Sequence, residues 1–252
     1  MVTGIESFKE WFREFDNQYV IIGGTACDIL MAEEGLDFRA TKDVDLVLIV
    51  ETLSAEFGKV FWEYVKEAKY QHYNKSSGEP QFYRFSHPVS KQYPAMIELF
   101  TRRQDAIVLP EDAILTPLPM DDDISSLSAI LLDEEYYTFL KAGKVNMAGI
   151  TVLDAAHLIP FKAKAWLDLS ARKASGAQVD SKNTRKHKND VYRLTELVDS
   201  SISIVAPKSV RDDMHTFVSK MMYEDVDLKQ LGIVGRSKEQ ILQELEDMYR
   251  EG

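Results

Sequence analysis

Four apolar residues, Tyr19-Val20-Ile21-Ile22, run straight into Gly23-Gly24-Thr25, and the ACDILMAEEG that follows has helical character until Gly35 ends it. This strand, glycine turn and helix constrain the chain more than any other segment. The apolar run has the length of one buried strand. Paired glycines let the backbone turn sharply, and the turn opens directly into a helix with a glycine stop. Next comes RATKDVDLVLIVE, where polar residues give way to a β-branched and apolar run from Val44 to Val50. That is a second strand with an acidic start. Upstream, Ile5, Phe8, Trp11, Phe12 and Phe15 stand at helical spacing, and Phe57, Val60, Phe61, Tyr64 and Val65 mark one side of a helix over 53–69. Phe82 to Phe85 and Ala95 to Phe100 read as two short neighbouring strands, the first preceded by a polar loop at 72–80.

At ~100 to 200 residues per domain, a chain of 252 residues suits two lobes better than one small unit. Residues 104–123 hold three of the eight prolines and end in an acidic run, which marks the connection. Domains are therefore expected over 1–120 and 121–252. Beyond the connection, helical patterns cover 124–141, 154–174, 189–199 and 208–222, with a kink or restart expected at Pro160 and a capped final helix from about Ser237. The expected fold class is α+β: an N-terminal lobe with a small mixed sheet flanked by helices, and a mainly α-helical C-terminal lobe. A single cysteine, Cys27, excludes an internal disulfide framework and a multi-cysteine metal site, and it suits a reducing, cytoplasmic compartment. No run of ~18 apolar residues exists to span a bilayer, and the first residues carry no basic and apolar leader pattern, so no membrane association is expected.

Asp43 and Asp45 flank Val44, and the strand period of two sends both carboxylates to one face, about 7 Å apart at Cα. Two carboxylates held together repel unless a positive charge lies between them. Mg²⁺, a hard ion that takes oxygen ligands, would relieve the repulsion; the alternative is a pair of solvent-facing strand residues. The Gly23-Gly24-Thr25 turn offers close backbone approach, the unpaired N–H groups of a helix start and a hydroxyl, which together suit a phosphate. Its alternative is a plain strand-to-helix connection. Glu98 stands in the apolar run Ala95 to Phe100, where a carboxylate needs a partner or a metal unless it is the outward residue of an edge strand.

IIGGTACDIL followed by FRATKDVDLVL resembles the DNA polymerase β-type nucleotidyltransferase superfamily, and within it the AbiEii-like branch of abortive-infection toxins. The likeness rests on the glycine turn opening a helix and on Arg39, Thr41, Asp43 and Asp45 in the Arg-x-Thr-x-Asp-x-Asp strand. It continues more loosely through HLIPFKAKAWLDL and KHKNDVYRL and spans about residues 18–198. The resemblance implies nucleotidyl transfer from an NTP, with two Mg²⁺ ions ~3.5 to 4 Å apart. Asp43 and Asp45 would hold both ions, Glu98 would complete the set, and Gly23, Gly24 and Thr25 would cradle the β- and γ-phosphates, with Arg39 and Thr41 beside them. Lys162, with Lys164 as its rival, would offset triphosphate charge, and Lys188 and Asp190 match family positions. Arg193 departs from the pattern, standing where many relatives have a second Asp.

The formal net charge of -11 argues against a surface that grips nucleic acid everywhere. Yet residues 162–193 hold nine Lys or Arg against three Asp, a local +6 that leaves -17 for the rest. That stretch suits an RNA acceptor such as a tRNA end, or it is a solvated basic surface. Three functions are thus open: a toxin-type NTP:RNA nucleotidyltransferase with a cognate antitoxin, the same chemistry on a small antibiotic-type molecule, and a catalytically silent nucleotide-binding module.

Overall fold

The structure is a computed structural model that describes residues 2–71, 84–100, 130–131 and 133–251. The polar loop at 72–80, the proline-bearing connection at 104–123 and the first part of the helix expected over 124–141 lie outside the described residues. Among those described, the fold is mixed α/β, with eight α-helices and a six-stranded mixed sheet. The chain divides into two compact units, residues 1–120 with 144–153, and residues 121–143 with 154–252.

The first unit runs α1 (Ile5–Phe12), a 3₁₀ turn, β1 (Tyr19–Ile22), α2 (Gly23–Glu33), β2 (Asp43–Leu48), α3 (Ala55–Glu67), β3 (Arg84–Ser86) and β4 (Met96–Phe100). After α4 (Glu134–Ala142), which belongs to the second unit, the hairpin β5 (Lys144–Met147) and β6 (Ile150–Leu153) completes the first unit's sheet. The sheet order is β3-β4-β2-β1-β6-β5. β1 lies antiparallel to β2, β2 parallel to β4, and β3 antiparallel to β4. These pairings decide which residues share a face. Tyr19 and Ile21 register with Leu48 and Leu46, and Ile97 registers with Val44 and Phe85, so one face is apolar. Rings from α1 and α3 meet that face: Phe8 approaches Tyr19 at 5.5 Å, and Phe61 approaches Phe85 at 5.2 Å. The other face carries Asp43, Asp45, Arg84, Ser86, Met96 and Glu98.

The hairpin is an element that the sequence patterning does not announce. Its two-residue turn, Ala148-Gly149, has positive φ at both positions (51° and 87°), the backbone that suits a tight antiparallel hairpin. Ala148 is an unusual residue in that conformation, so the ordinary Asn-Gly or Asp-Gly signal is missing.

The second unit centres on α5 (Ala155–Ala174), which packs against α6 (Ser181–Leu194) and α7 (Lys208–Met221). It closes with α8 (Lys238–Met248), whose first turn carries the expected Ser237 cap, reinforced by Gln240. β7 (Ile204–Val205) and β8 (Tyr249–Arg250) form a small parallel pair. Trp166 of α5 meets Phe217 of α7 at 5.5 Å, and Phe161 meets Tyr136 of α4 at 5.2 Å. The helix expected from 189 begins earlier, at Ser181, because Asp180 caps it by accepting the Lys182 N–H at 2.8 Å.

Pro160 neither breaks nor restarts α5, which is continuous through it. A proline withholds the N–H that would bond the carbonyl four residues earlier, here that of Ala156. The Tyr249 hydroxyl donates to the Ala156 carbonyl oxygen at 2.6 Å and replaces the missing amide. Full burial pushes the Tyr249 hydroxyl well above its ordinary pKa and keeps it a neutral donor. Tyr249→Phe is therefore expected to cost about 1–3 kcal/mol, the penalty of stranding a buried acceptor. Adding Pro160→Ala restores an N–H at residue 160 and should recover most of that loss; urea unfolding of the two single variants and the double variant measures the coupling.

Candidate functional site

β1 ends where α2 begins, so its last residue, Ile22, delivers the chain to the glycine turn beside its partner across the ladder, Asp45. Gly23 has φ +70°, the left-handed region that penalises a side chain. A Cβ built there would lie 1.7 Å from Asp45 Oδ2, so the carboxylate occupies the space that the absent side chain leaves. Gly24 is also closely approached. Its Cβ would lie 2.8 Å from Thr41 Oγ1 and 3.3 Å from a terminal nitrogen of Arg39. The Thr25 hydroxyl donates to the Asp43 carbonyl oxygen at 2.6 Å, tying the first turn of α2 to the start of β2. Gly23, Gly24, Thr25, Arg39, Thr41, Asp43 and Asp45 thus form one contiguous group.

Glu98 joins them from β4, where it registers with Asp45 on one side and Arg84 on the other. β4 is flanked by β2 and β3, so Glu98 is not the outward residue of an edge strand. Arg84, from β3, donates through Nε and a terminal nitrogen to Glu98 Oε1, both at 2.8 Å. Sequence patterning does not single out Arg84; the only signal is a basic residue in an apolar run, and its importance depends on the β3–β4 register. Burial, followed by the neighbouring Asp45 carboxylate, pushes Glu98 up to about 8, against the pull of Arg84 and with a smaller push from Asp43.

Among the described residues, no three His, Cys, Asp or Glu side chains gather closely enough to hold a metal unaided. Mg²⁺, however, is commonly held by one or two carboxylates together with phosphate oxygens and water. Asp43 and Asp45, half-buried on one face beside the start of a helix, could hold a hard cation in that manner. Glu98 adds negative charge nearby while Arg84 engages its Oε1.

Lys162, Lys188 and Asp190 belong to the second unit. Lys162, on α5 and 3% exposed, places Nζ 3.2 Å from Oδ2 of Asp190, which is fully buried on α6. Arg193 lies 3.9 Å from the other oxygen of Asp190, so the residue that departs from the family pattern supplies a second cation. Lys188 donates to Glu224 at 2.8 Å and to the Asp225 carbonyl oxygen at 3.0 Å. Lys164 is engaged instead by Asp168 and Asp213, at 3.6 and 3.2 Å.

Two outcomes follow from these charges. Folding raises the Glu98 pKa from 4.5 to about 8, so within that window the folded chain binds more protons than the unfolded one, and stability falls as pH rises. Urea unfolding across the window should show that decline, and Glu98→Gln should flatten it. Removing one partner of a buried pair costs about 3–5 kcal/mol when the other is left uncompensated; Arg193 remains 3.9 Å from Asp190, so the low end of that range is the loss expected for Lys162→Met. Adding Asp190→Leu should return part of it, as read from the unfolding midpoint. No family model, curated protein or solved structure matches this chain.

Proposed function

We propose that the first unit transfers a nucleotidyl group from an NTP to an acceptor hydroxyl and releases pyrophosphate. One juxtaposition carries the reading: the start of α2 lies against Asp45, Thr41 and Arg39. A helix start with unpaired N–H groups is suited to phosphate, and here it adjoins a carboxylate pair suited to a divalent cation.

In this reading the acceptor oxygen forms a bond to the α-phosphorus while the bond from that phosphorus to the bridging oxygen breaks. The amides of Gly23, Gly24 and Thr25, at the start of α2, would cradle the β- and γ-phosphates. Arg39 and Thr41 add a positive charge and a hydroxyl. Asp43 and Asp45 would hold Mg²⁺, and Glu98 would add a third carboxylate beside them. Bound there, Mg²⁺ would supply charge neutralisation and make the acceptor hydroxyl more acidic.

The likeness to AbiEii-like toxins ranks RNA, such as a tRNA, first among acceptors and leads us to expect a cognate antitoxin. A small antibiotic-type acceptor is the alternative. Purified protein incubated with each labelled NTP, Mg²⁺ and total RNA is expected to label RNA. Asp45→Asn should lower that labelling by more than about a hundredfold, the upper end of what losing a supporting group costs a metal site. Its unfolding midpoint should stay near that of the parent. Turnover unchanged in Asp45→Asn removes the assignment, and NTP binding without transfer to any acceptor turns it into a binding module.

A further inference from the structure

A cavity of about 390 Å³ opens beside Asp43, in the size range of small-molecule sites. Asp43, Met96 and Ser86 share one face of the sheet across β2, β4 and β3, and all three line the cavity. The segment from His87 to Ala95 forms another wall. It is braced from several directions: the Val89 N–H donates to the Ala68 carbonyl at 2.8 Å, the His87 N–H to the Ala95 carbonyl at 3.3 Å, and the Tyr70 hydroxyl to the Pro94 carbonyl at 2.6 Å. His87 has φ 56°, a conformation that a non-glycine residue holds only where its surroundings enforce it. Its ring is exposed on the cavity wall and its Nδ1 lies 2.9 Å from Ser86 Oγ.

The charge on this cavity runs against that of the chain. Two lysines, Lys42 and Lys91, and one carboxylate, Asp43, line it in a protein whose net charge is -11. A cationic acceptor would meet two ammonium groups there, whereas a phosphate would meet two counter-charges. An exposed imidazole also offers a flat surface on which an unpaired base can stack.

We propose that this cavity seats the acceptor, and that Lys42 and Lys91 select a phosphate-bearing one, the terminal nucleotide of an RNA strand. The strand end would lie on the Asp43 side of the carboxylate pair, while the nucleotide lies on the Asp45 side, against Gly23. The proposal takes its purpose from the nucleotidyl-transfer reading, but the binding it requires can be measured without any transfer.

A short fluorescein-labelled oligoribonucleotide is titrated by anisotropy into the full chain, without NTP or Mg²⁺, over a series of salt concentrations. Lys42→Gln with Lys91→Gln should weaken binding at least tenfold. It should also reduce the slope of log affinity against log salt by about 1.4, at ~0.7 per phosphate contact on a single strand. Lys42→Arg with Lys91→Arg should retain both, which separates lost charge from lost fold. Equal affinity and equal slope in the Gln variant overturn the proposal. So does displacement of the oligonucleotide by an equal concentration of AMP, which would give the cavity to a free nucleotide. Kanamycin binding that strengthens in Lys42→Glu with Lys91→Glu would give it to a cationic acceptor and overturn the proposal as well. Strand binding that depends on the two lysines, in a protein that transfers no NTP, supports the cavity and removes only the transferase reading.

Discussion

The carboxylate of Asp45 fills the space that a side chain at residue 23 would need, and the arrangement of the first unit's polar face depends on that contact. It requires three things together. Residue 23 must be glycine, because its φ is +70° and the carboxylate is already there. β1 and β2 must pair antiparallel with Ile22 opposite Asp45. And β2 must begin with its acids on the face away from the aromatic rings of α1 and α3. A slip of one residue would turn Asp43 and Asp45 into the apolar core and Val44 and Leu46 out of it. The antiparallel geometry then aligns the rest: as α2 proceeds from Gly23 to Gly24, the facing chain recedes from Asp45 to Thr41 and Arg39. Carboxylate, hydroxyl and guanidinium meet successive residues of one turn.

Much of this unit was legible in the sequence because its signals are local. An apolar run ending in two glycines, and an alternating acid-apolar strand entry, each specify their own geometry within a few residues. The Asp pair, the glycine turn and the Arg39-Thr41 segment come together in the structure as their order implied. Other features depend on partners distant along the chain. Arg84 matters only because β3 and β4 pair so as to set it opposite Glu98, and nothing near Arg84 in the sequence announces that. The hairpin at 144–153 was hidden by an Ala148 that adopts a backbone usually left to Asn, Asp or Gly. The continuity of α5 was hidden in the same way, since Pro160 predicts a break unless one knows that a tyrosine 89 residues later supplies the missing donor.

The second unit has a common theme, which is the compensation of buried polar groups along α5. Ala156 loses an amide to Pro160 and gains a hydroxyl from Tyr249. Lys162 is buried and meets a carboxylate that is itself fully buried. At the start of the same helix Asp154 accepts the His157 N–H at 2.8 Å and also lies 2.9 Å from the His157 ring. Unsatisfied, each of these groups would weaken the helix. Satisfied, they fix its rotation, because each partner comes from one particular neighbour.

The two units differ in what they do with charge, and this bears on function more directly than either fold. In the second unit Lys162 and Asp190 are matched and buried, an arrangement that specifies structure first. In the first, like charges are held together: Asp45 and Asp43 both raise the pKa of Glu98, and Arg84 offsets only part of that rise. A sheet face gains no stability from such crowding. Hydrophobic residues at the same positions would pack without cost, as Val44 and Leu46 do on the opposite face. The gathered carboxylates have a physical rationale if a cation binds them, and the amides opening α2 have one if an anion does. A triphosphate with its divalent counter-ions carries both signs at once, which is why the carboxylates and the glycine turn are better understood as one site than as two.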